Sequence, residues 1–435
     1  MKNIDILNML VERGLISQLS DKKKLTKLLQ NQSITVYCGF DPTYDSLHIG
    51  HLLLLLCLKR FQLSGHRPIV LLGGATSLIG DPSFKLHERK LHILENIQKN
   101  TKKIIKQIQL FLDFDCGANS AIIVNNYDWF KNMFVLDFLR NIGKYFSINK
   151  MLHKKSIKDR INRIGHGITF AEFSYNLLQG YDFFYLYQKY NVVLQIGGAD
   201  QWGNIVSGID LVHRLSSHIV YGLTVPLITR SDGTKFGKSD FGKILWLDEK
   251  KTSIYDFYQF WINVSDEDVY RFLNFFTFLD IHKIRNLFNQ NQKKNMYINK
   301  NVCDCTPQIM LAKLVTKLVH GKYGLSSAQR ITKKLFFLNV NKELSKRDFE
   351  QCINDGITVI FVKKNHVLYL QEALVMTNLA FSYRQAKDLI ASKAILVNGN
   401  KQDNKKYIFT SFDKKYDCYT LICRGKKHYR LICWK

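Results

Sequence analysis

The chain has 435 residues, of which 46% are hydrophobic and 13% aromatic. That suits roughly three domains of about 150 residues and excludes a disordered or fibrous chain. The formal net charge of +27 suggests a polyanionic partner such as nucleic acid, although an AT-biased genome would also enrich lysine and asparagine. The longest apolar run, residues 52–58, is far shorter than the ~20 residues that span a bilayer. The N-terminus lacks the basic-then-apolar layout of a signal peptide, so a cytoplasmic protein with no membrane partner is expected. Nine cysteines are scattered without a CxxC pair. They read as free thiols in a reducing compartment, with no structural metal.

From residue 34 to 240, short β-branched runs alternate with amphipathic stretches. Residues 34–38, 69–72, 121–124, 192–196 and a short run at 225–228 predict strands. Residues 52–63, 93–112 and 205–215 predict helices. This alternation predicts an α/β fold, a doubly wound Rossmann-like domain over 1–240 with a parallel sheet and ligands at the carboxyl ends of its strands. Residues 241–336 read as an all-helical domain, with helices near 255–262, 269–278 and 310–318. Residues 337–362 are mixed and are expected to contain a linker. Residues 363–435 read as a small α+β domain: a helix pair at 371–377 and 383–391, a strand at 394–397 running into a turn, then an aromatic, basic β-like tail. Residues 361–435 carry 15 Lys and Arg against 5 Asp and Glu, about twice the positive density of the whole chain. That concentration places an RNA-binding function at the C-terminal end.

Two strings carry the chemistry. Tyr37-Cys38-Gly39-Phe40-Asp41-Pro42-Thr43 leads through a turn into Asp45-Ser46-Leu47-His48-Ile49-Gly50-His51. Asp45 or Ser46 is expected to cap a helix that begins near Leu47. His48 and His51 then lie three apart on its first turn, and Gly50 leaves room for a ligand to approach the backbone. A helix N-terminus favours phosphate, and two imidazoles add donors for charge moving onto a leaving pyrophosphate. The second string, Lys235-Phe236-Gly237-Lys238-Ser239, follows Thr229-Arg230-Ser231-Asp232-Gly233-Thr234. It is a glycine-hinged loop able to place two ammonium groups on a triphosphate. Taken singly, each string has a plainer reading: two capping histidines, or a solvated surface turn.

Together, His48-Ile49-Gly50-His51 and Lys235-Phe236-Gly237-Lys238-Ser239 resemble the paired signatures of class I aminoacyl-tRNA synthetases. The Lys-Phe-Gly-Lys-Ser spelling is that of bacterial-type tyrosyl-tRNA synthetases. The likeness extends over Gly73-Gly74-Ala75-Thr76, Gly80-Asp81-Pro82-Ser83, the stretch from Tyr175 to Asp182, and the stretch from Gln195 to Asn204. The resemblance implies tyrosine activation by ATP to tyrosyl-adenylate and pyrophosphate, then transfer to the terminal ribose of the tRNA for tyrosine, with Mg2+ accompanying ATP. It implies that Tyr37 and Asp182 hydrogen-bond the substrate phenol. A buried carboxylate that needs a hydroxyl partner disfavours phenylalanine. Asp81, Tyr175 and Gln179 would hold the substrate ammonium, and Gln201 would lie near its carboxylate. Asp41 would lie near the intermediate, while Asp200, Gly198, Cys38, Gly39, Gly50 and His51 would meet ribose and adenosine. Thr43, His48, Lys235, Lys238 and Ser239 would act on the phosphates, helped by Lys85 and Arg89.

The C-terminal stretch from Ser382 to Ile390, with Val397-Asn398-Gly399, is similar to an RNA-binding module shared with a ribosomal protein. The tail from Arg424 to Arg430 offers cations among aromatics for phosphates and stacked bases. The resemblance further implies a homodimer with contacts around residues 129–149. Two rivals stay open, each with its discriminator, and the tryptophanyl branch is the nearest competitor within the family. A small adenylyltransferase would lack Tyr37, Asp182 and the basic tail. A purely RNA-binding role would not need an intact catalytic set. The tryptophanyl branch would not need the Tyr37/Asp182 pair. Residues 183–185 form an aromatic run for which the sequence offers no account.

Overall fold

The computed structural model describes residues 5–83, 91–154, 157–158, 161, 167–229, 233, 244–294, 306–337, 344–425 and 428–435. The chain forms two compact units. One comprises Met1–Lys235 with Asn274–Ile281, and the other Phe236–Leu273 with His282–Lys435.

The first unit is built on six strands: β1 (Gln18–Leu19), β2 (Thr35–Phe40), β3 (Arg67–Leu72), β4 (Ile122–Asn125), β5 (Val192–Gly198) and β6 (Tyr221–Val225). Their order is β1-β6-β5-β2-β3-β4. All neighbours are parallel except β1, which pairs antiparallel with β6. The runs of Val, Ile and Leu in β2, β3 and β5 are buried on both faces, as a sheet covered by helices on each side requires. From β2 the chain winds outward through β3 and β4, then returns to the other side of β2 with β5 and β6. The order therefore reverses between β2 and β5, and the crevice beyond their carboxyl ends is where ligands bind in such sheets.

The expected strands at 34–38, 69–72, 121–124 and 192–196 coincide with β2 to β5 within a few residues. The run expected at 225–228 is displaced, because the strand occupies Tyr221–Val225 and ends before Pro226. Proline has no amide proton for the ladder, so the strand stops there. Gly222 had obscured the apolar pattern upstream. A Cβ at that position would lie 2.4 Å from Cγ2 of Ile205, so the glycine is what lets the Trp202–Ser216 helix pack on the sheet.

Two buried arginines tie the returning segment to this unit. The Arg13 guanidinium donates to the carbonyls of Asn274, Thr277 and Leu279, and that of Arg60 to those of Asn274, Phe275 and Thr277. These carbonyls follow or end the Asp266–Phe276 helix, where backbone acceptors lack intrahelical partners and cations are favoured.

The second unit contains the helices Ile254–Ile262 and Pro307–Phe337, the latter kinked at Gly321 (φ 71°). It ends in a five-stranded sheet of β7 (Val359–Val362), β8 (Ile395–Val397), β9 (Asn400–Gln402), β10 (Tyr419–Arg424) and β11 (His428–Trp434), ordered β7-β11-β10-β8-β9. Both faces are buried, with the strand period of two dividing the residues. Ile422, Ile432 and Trp434 face the core containing Leu370, Leu374, Ala386 and Ile390, from the two helices expected near 371–377 and 383–391. Leu421, Cys423, Tyr429 and Leu431 face Tyr255, Ile331, Leu335, Phe349 and Cys352.

Within the stretch 337–362, expected to contain a linker, lie the Lys346–Asn354 helix and β7, which pairs parallel with β11, while residues 338–343 lie outside the described residues. Its residues 344–362 belong to this sheet structure. The basic tail also differs from expectation. Tyr429 and Arg430 are buried, Arg430 is ion-paired to Asp256 at 2.8 Å, and Arg424 donates to the carbonyl of Leu379. These three residues hold the fold together rather than lying open to RNA, while Lys426 and Lys427 lie outside the described residues.

Candidate active site

The Ile49–Leu63 helix begins two residues later than expected, and its cap is His48 rather than Asp45 or Ser46. Nδ1 of His48 accepts from the amides of Gly50 (3.1 Å) and His51 (3.4 Å), and Nδ1 of His51 accepts from the amide of His48 (3.3 Å). The two rings stack with centroids 3.8 Å apart. Asp45 is instead paired with Lys103 at 2.7 Å, and Ser46 accepts from Gln107. This reciprocal cap has a chemical consequence. With both Nδ1 atoms accepting, each ring in its neutral form carries its proton on Nε2. Burial, then the neighbouring His48, push His51 well below the usual histidine range, which favours that neutral form. Gly50 serves the same arrangement, since a Cβ there would lie 2.8 Å from Cε1 of His48. Its missing side chain makes room for an imidazole.

Within β2, Tyr37 is fully buried and its hydroxyl has no hydrogen-bond partner among the described residues. Tyr175, Gln179 and Asp182 fall at helical spacing along Phe170–Tyr190, with Tyr175 and Asp182 buried and Gln179 half-buried. Asp182 accepts from Nδ2 of Asn126 (3.1 Å) and Nε1 of Trp129 (2.9 Å). Burial pushes its carboxyl well above the usual range, these two donors oppose the rise, and Asp41 adds to it. Burial likewise raises the Tyr37 phenol, with Asp182 the next cause, so both groups resist ionisation.

Asp41 accepts from the hydroxyls of Thr76 (2.8 Å) and Tyr175 (2.9 Å). Gly73 is required here, because a Cβ would fall 1.8 Å from Oδ1 of Asp41. Asp81 accepts from Nε2 of Gln201 at 2.8 Å and from the amide of Ser83. The structure thus brings Tyr37, Asp41, Asp81, Tyr175, Asp182 and Gln201 into one connected polar site. Cys38 is a buried thiol pushed up by burial, with Cys57 and Asp200 as lesser causes. Gly39 has open space where a Cβ would be, whereas a Cβ on Gly198 would meet Oδ1 of Asp200 at 2.4 Å. Thr43 lines an open cavity of about 550 Å³ with His92, Lys99, Asn100 and Lys103. Lys85, Arg89, Lys235, Lys238 and Ser239 lie outside the described residues.

Some supporting residues escaped the sequence reading. Asn126 donates to both Asp182 and Thr76 while accepting from the amide of Ala75, so it joins three parts of the site. Trp129, at the start of the stretch expected to carry subunit contacts, donates to Asp182. The only sequence signal was their position just after β4, at a strand carboxyl end. The aromatic run 183–185 also gains an explanation. Phe183 meets Tyr37 edge-on at 5.3 Å and Tyr185 stacks on Trp129 at 4.3 Å, so the run braces Tyr37 and the Trp129 donor of Asp182.

This geometry agrees with what known proteins show. Residues 29–337 match the model of tRNA synthetases class I (W and Y). Residues 348–432 match that of the tyrosine–tRNA ligase SYY-like C-terminal domain. The chain is 54% identical to the tyrosine–tRNA ligase of Blochmanniella pennsylvanica over 100% of its own length and 99% of the relative's. It is also 54% identical to that of Pectobacterium atrosepticum, over 100% of both. Among solved structures, a C-terminally truncated Aspergillus nidulans mitochondrial tyrosyl-tRNA synthetase superposes with a TM-score of 0.66 at 30% identity, covering 77% of this chain and 95% of that one. The chain belongs to the class I aminoacyl-tRNA synthetases of the tryptophanyl and tyrosyl type. Within them its activity is that of the bacterial tyrosine–tRNA ligases: it uses ATP to join tyrosine to tRNA.

Proposed function

We propose the following division of labour within that activity. The observation that carries it is the fully buried Tyr37 hydroxyl, unpartnered among the described residues, in the same site as the buried Asp182 carboxylate. A substrate phenol entering between them supplies the missing partner, and the unpaired state otherwise costs on the order of 1–3 kcal/mol. Asp81, Tyr175 and Gln179 hold the substrate ammonium, and Gln201 receives its carboxylate. Asp41 lies against the adenylate. Gly39, Gly50, Gly198 and Asp200 meet the ribose and adenosine, with Cys38 and His51 beside the ribose.

The tyrosine carboxylate attacks the α-phosphorus of ATP, which enters as its magnesium complex, and no side-chain nucleophile is needed. Catalysis is then positioning plus stabilisation of charge on the departing pyrophosphate. The Nε2–H donors of His48 and His51 supply part of that stabilisation, with Thr43, Lys235, Lys238, Ser239, Lys85 and Arg89 the rest. Catalysis belongs to 1–240, and the structure after residue 343 to tRNA. Phe134, Val135, Leu136 and Ile148, all more than half exposed, supply an apolar surface suited to a homodimer contact. The protein works in the cytoplasm.

Amino-acid-dependent ATP–pyrophosphate exchange tests the assignment of residues. Lys238→Ala is expected to depress exchange far more than tyrosine binding, and Asp182→Ala to abolish tyrosine binding. Equal loss of both activities in Lys238→Ala would mean that its loop is merely structural.

A further inference from the structure

A chain of side chains leads away from the tyrosine site to a lysine outside it. Nζ of Lys154 donates to Oδ1 of Asn176 at 2.7 Å, and Nδ2 of Asn176 donates to Oδ1 of Asn204 at 2.7 Å. Nδ2 of Asn204 donates to Oε1 of Gln201 at 3.2 Å, and Nε2 of Gln201 donates to Oδ2 of Asp81 at 2.8 Å. All of these bonds run in one direction. An ammonium can only donate and an ionised carboxylate can only accept, so the two ends dictate how the three amides between them are turned. Lys154 gives its other protons to the carbonyl of Gly203 (2.9 Å) and Oγ of Ser207 (2.5 Å), so its three donors have three acceptors. Asn176 and Asn204 are buried, which makes an amide turned the wrong way costly.

We propose that Lys154 is a positioning residue for tyrosine binding, acting through Asn176 and Asn204 to keep the amide donor of Gln201 aimed into the amino-acid site. When the substrate arrives, its ammonium takes Asp81 and its carboxylate takes the Gln201 donor. The cation at the far end polarises the whole chain toward that exchange. The idea rests on the placement of Asp81 and Gln201 at the tyrosine ammonium and carboxylate given above.

The charge of Lys154 is itself adjustable. Burial lowers it to about 7, partly offset by Asp210. Around it stand Asp210 and Arg214 from the Trp202–Ser216 helix, and Tyr145 and Lys150 from its own side. As pH rises through neutrality Lys154 loses its proton, Asn176 is no longer compelled to present its oxygen, and tyrosine affinity falls.

The test is tyrosine affinity by equilibrium dialysis, with the KM for ATP measured in parallel. Lys154→Met is expected to raise the Kd for tyrosine roughly tenfold while leaving the KM for ATP within about twofold. Lys154→Arg, which keeps a donor that stays charged, is expected to bind tyrosine within about threefold of the parent. It should also lose the weakening near neutral pH. In a Gln201→Leu background Lys154→Met should cost nothing further. If Gln201→Leu leaves tyrosine affinity unchanged, the site assignment fails. If Gln201→Leu weakens tyrosine but Lys154→Met does not, or weakens tyrosine and ATP equally, the positioning role fails. Should Lys154→Met not fold, the pH profile of Lys154→Arg decides, and an inflection identical to the parent's overturns the proposal.

Discussion

Replacing Tyr37 by phenylalanine removes one hydroxyl and is expected to change stability and tyrosine affinity in opposite directions. The hydroxyl is fully buried and has no hydrogen-bond partner among the described residues. An unsatisfied buried donor costs on the order of 1–3 kcal/mol, so its removal should leave the substrate-free enzyme as stable as the parent or up to ~2 kcal/mol more stable. The ring stays in place, since its packing against Phe183 does not involve the oxygen. In the proposed assignment, the same hydroxyl is a partner for the phenol of bound tyrosine. A neutral hydrogen bond is worth about 0.5–1.5 kcal/mol net, so the Kd for tyrosine should rise roughly 2- to 13-fold. The assays are denaturant unfolding without ligand and equilibrium dialysis with tyrosine. A variant destabilised by more than about 1 kcal/mol, or one with unchanged tyrosine affinity, would refute the reasoning.

Asp182→Asn should reveal a pH-dependent cost. The folded carboxyl is raised above its unfolded value, so the parent loses stability as pH climbs from the ordinary carboxylate range through the raised value. The unfolding free energy of the parent relative to the asparagine variant should therefore fall from pH 4 to pH 8, and a constant difference would count against it. Gly73→Ala should displace Asp41 and Thr76, which a Cβ would meet at 1.8 and 2.3 Å. An overpacking cost of about 1–3 kcal/mol and a large loss of pyrophosphate exchange are expected, and normal exchange would contradict the geometry. Arg430→Met breaks the partly buried ion pair with Asp256 and should destabilise the protein by about 2–4 kcal/mol in denaturant unfolding. Folded protein with near-parent tRNA affinity would be consistent with a structural arginine. A specific loss of tRNA affinity at unchanged stability would return it to the RNA surface.

The parallel-sheet architecture was legible because buried parallel strands must be continuous apolar runs, and β2, β3, β4 and β5 are. The site was legible where motif and period agreed: Tyr175, Gln179 and Asp182 share a helix face by spacing alone. Gly222 hid β6, because its reason for being small is Ile205, far away in sequence. The cap on the Ile49–Leu63 helix was expected at Asp45 or Ser46, with capping histidines only as the plainer reading, because histidine is a weak capping candidate by type and only the stacked pair makes it one. The C-terminal tail shows the same limit. A run of cations and aromatics reads as an RNA surface until the sheet turns Tyr429 and Arg430 inward onto Tyr255 and Asp256. Local sequence determined the class of fold through its periodicity, while the two phosphate strings and the Tyr37/Asp182 pair were assigned by their resemblance to the family. Tertiary structure decided which residues serve them. The tautomer of the two histidines is set because each Nδ1 accepts a hydrogen bond from a backbone amide. Asn126, Trp129 and Lys154 enter the site because hydrogen bonds couple residues that sequence keeps apart.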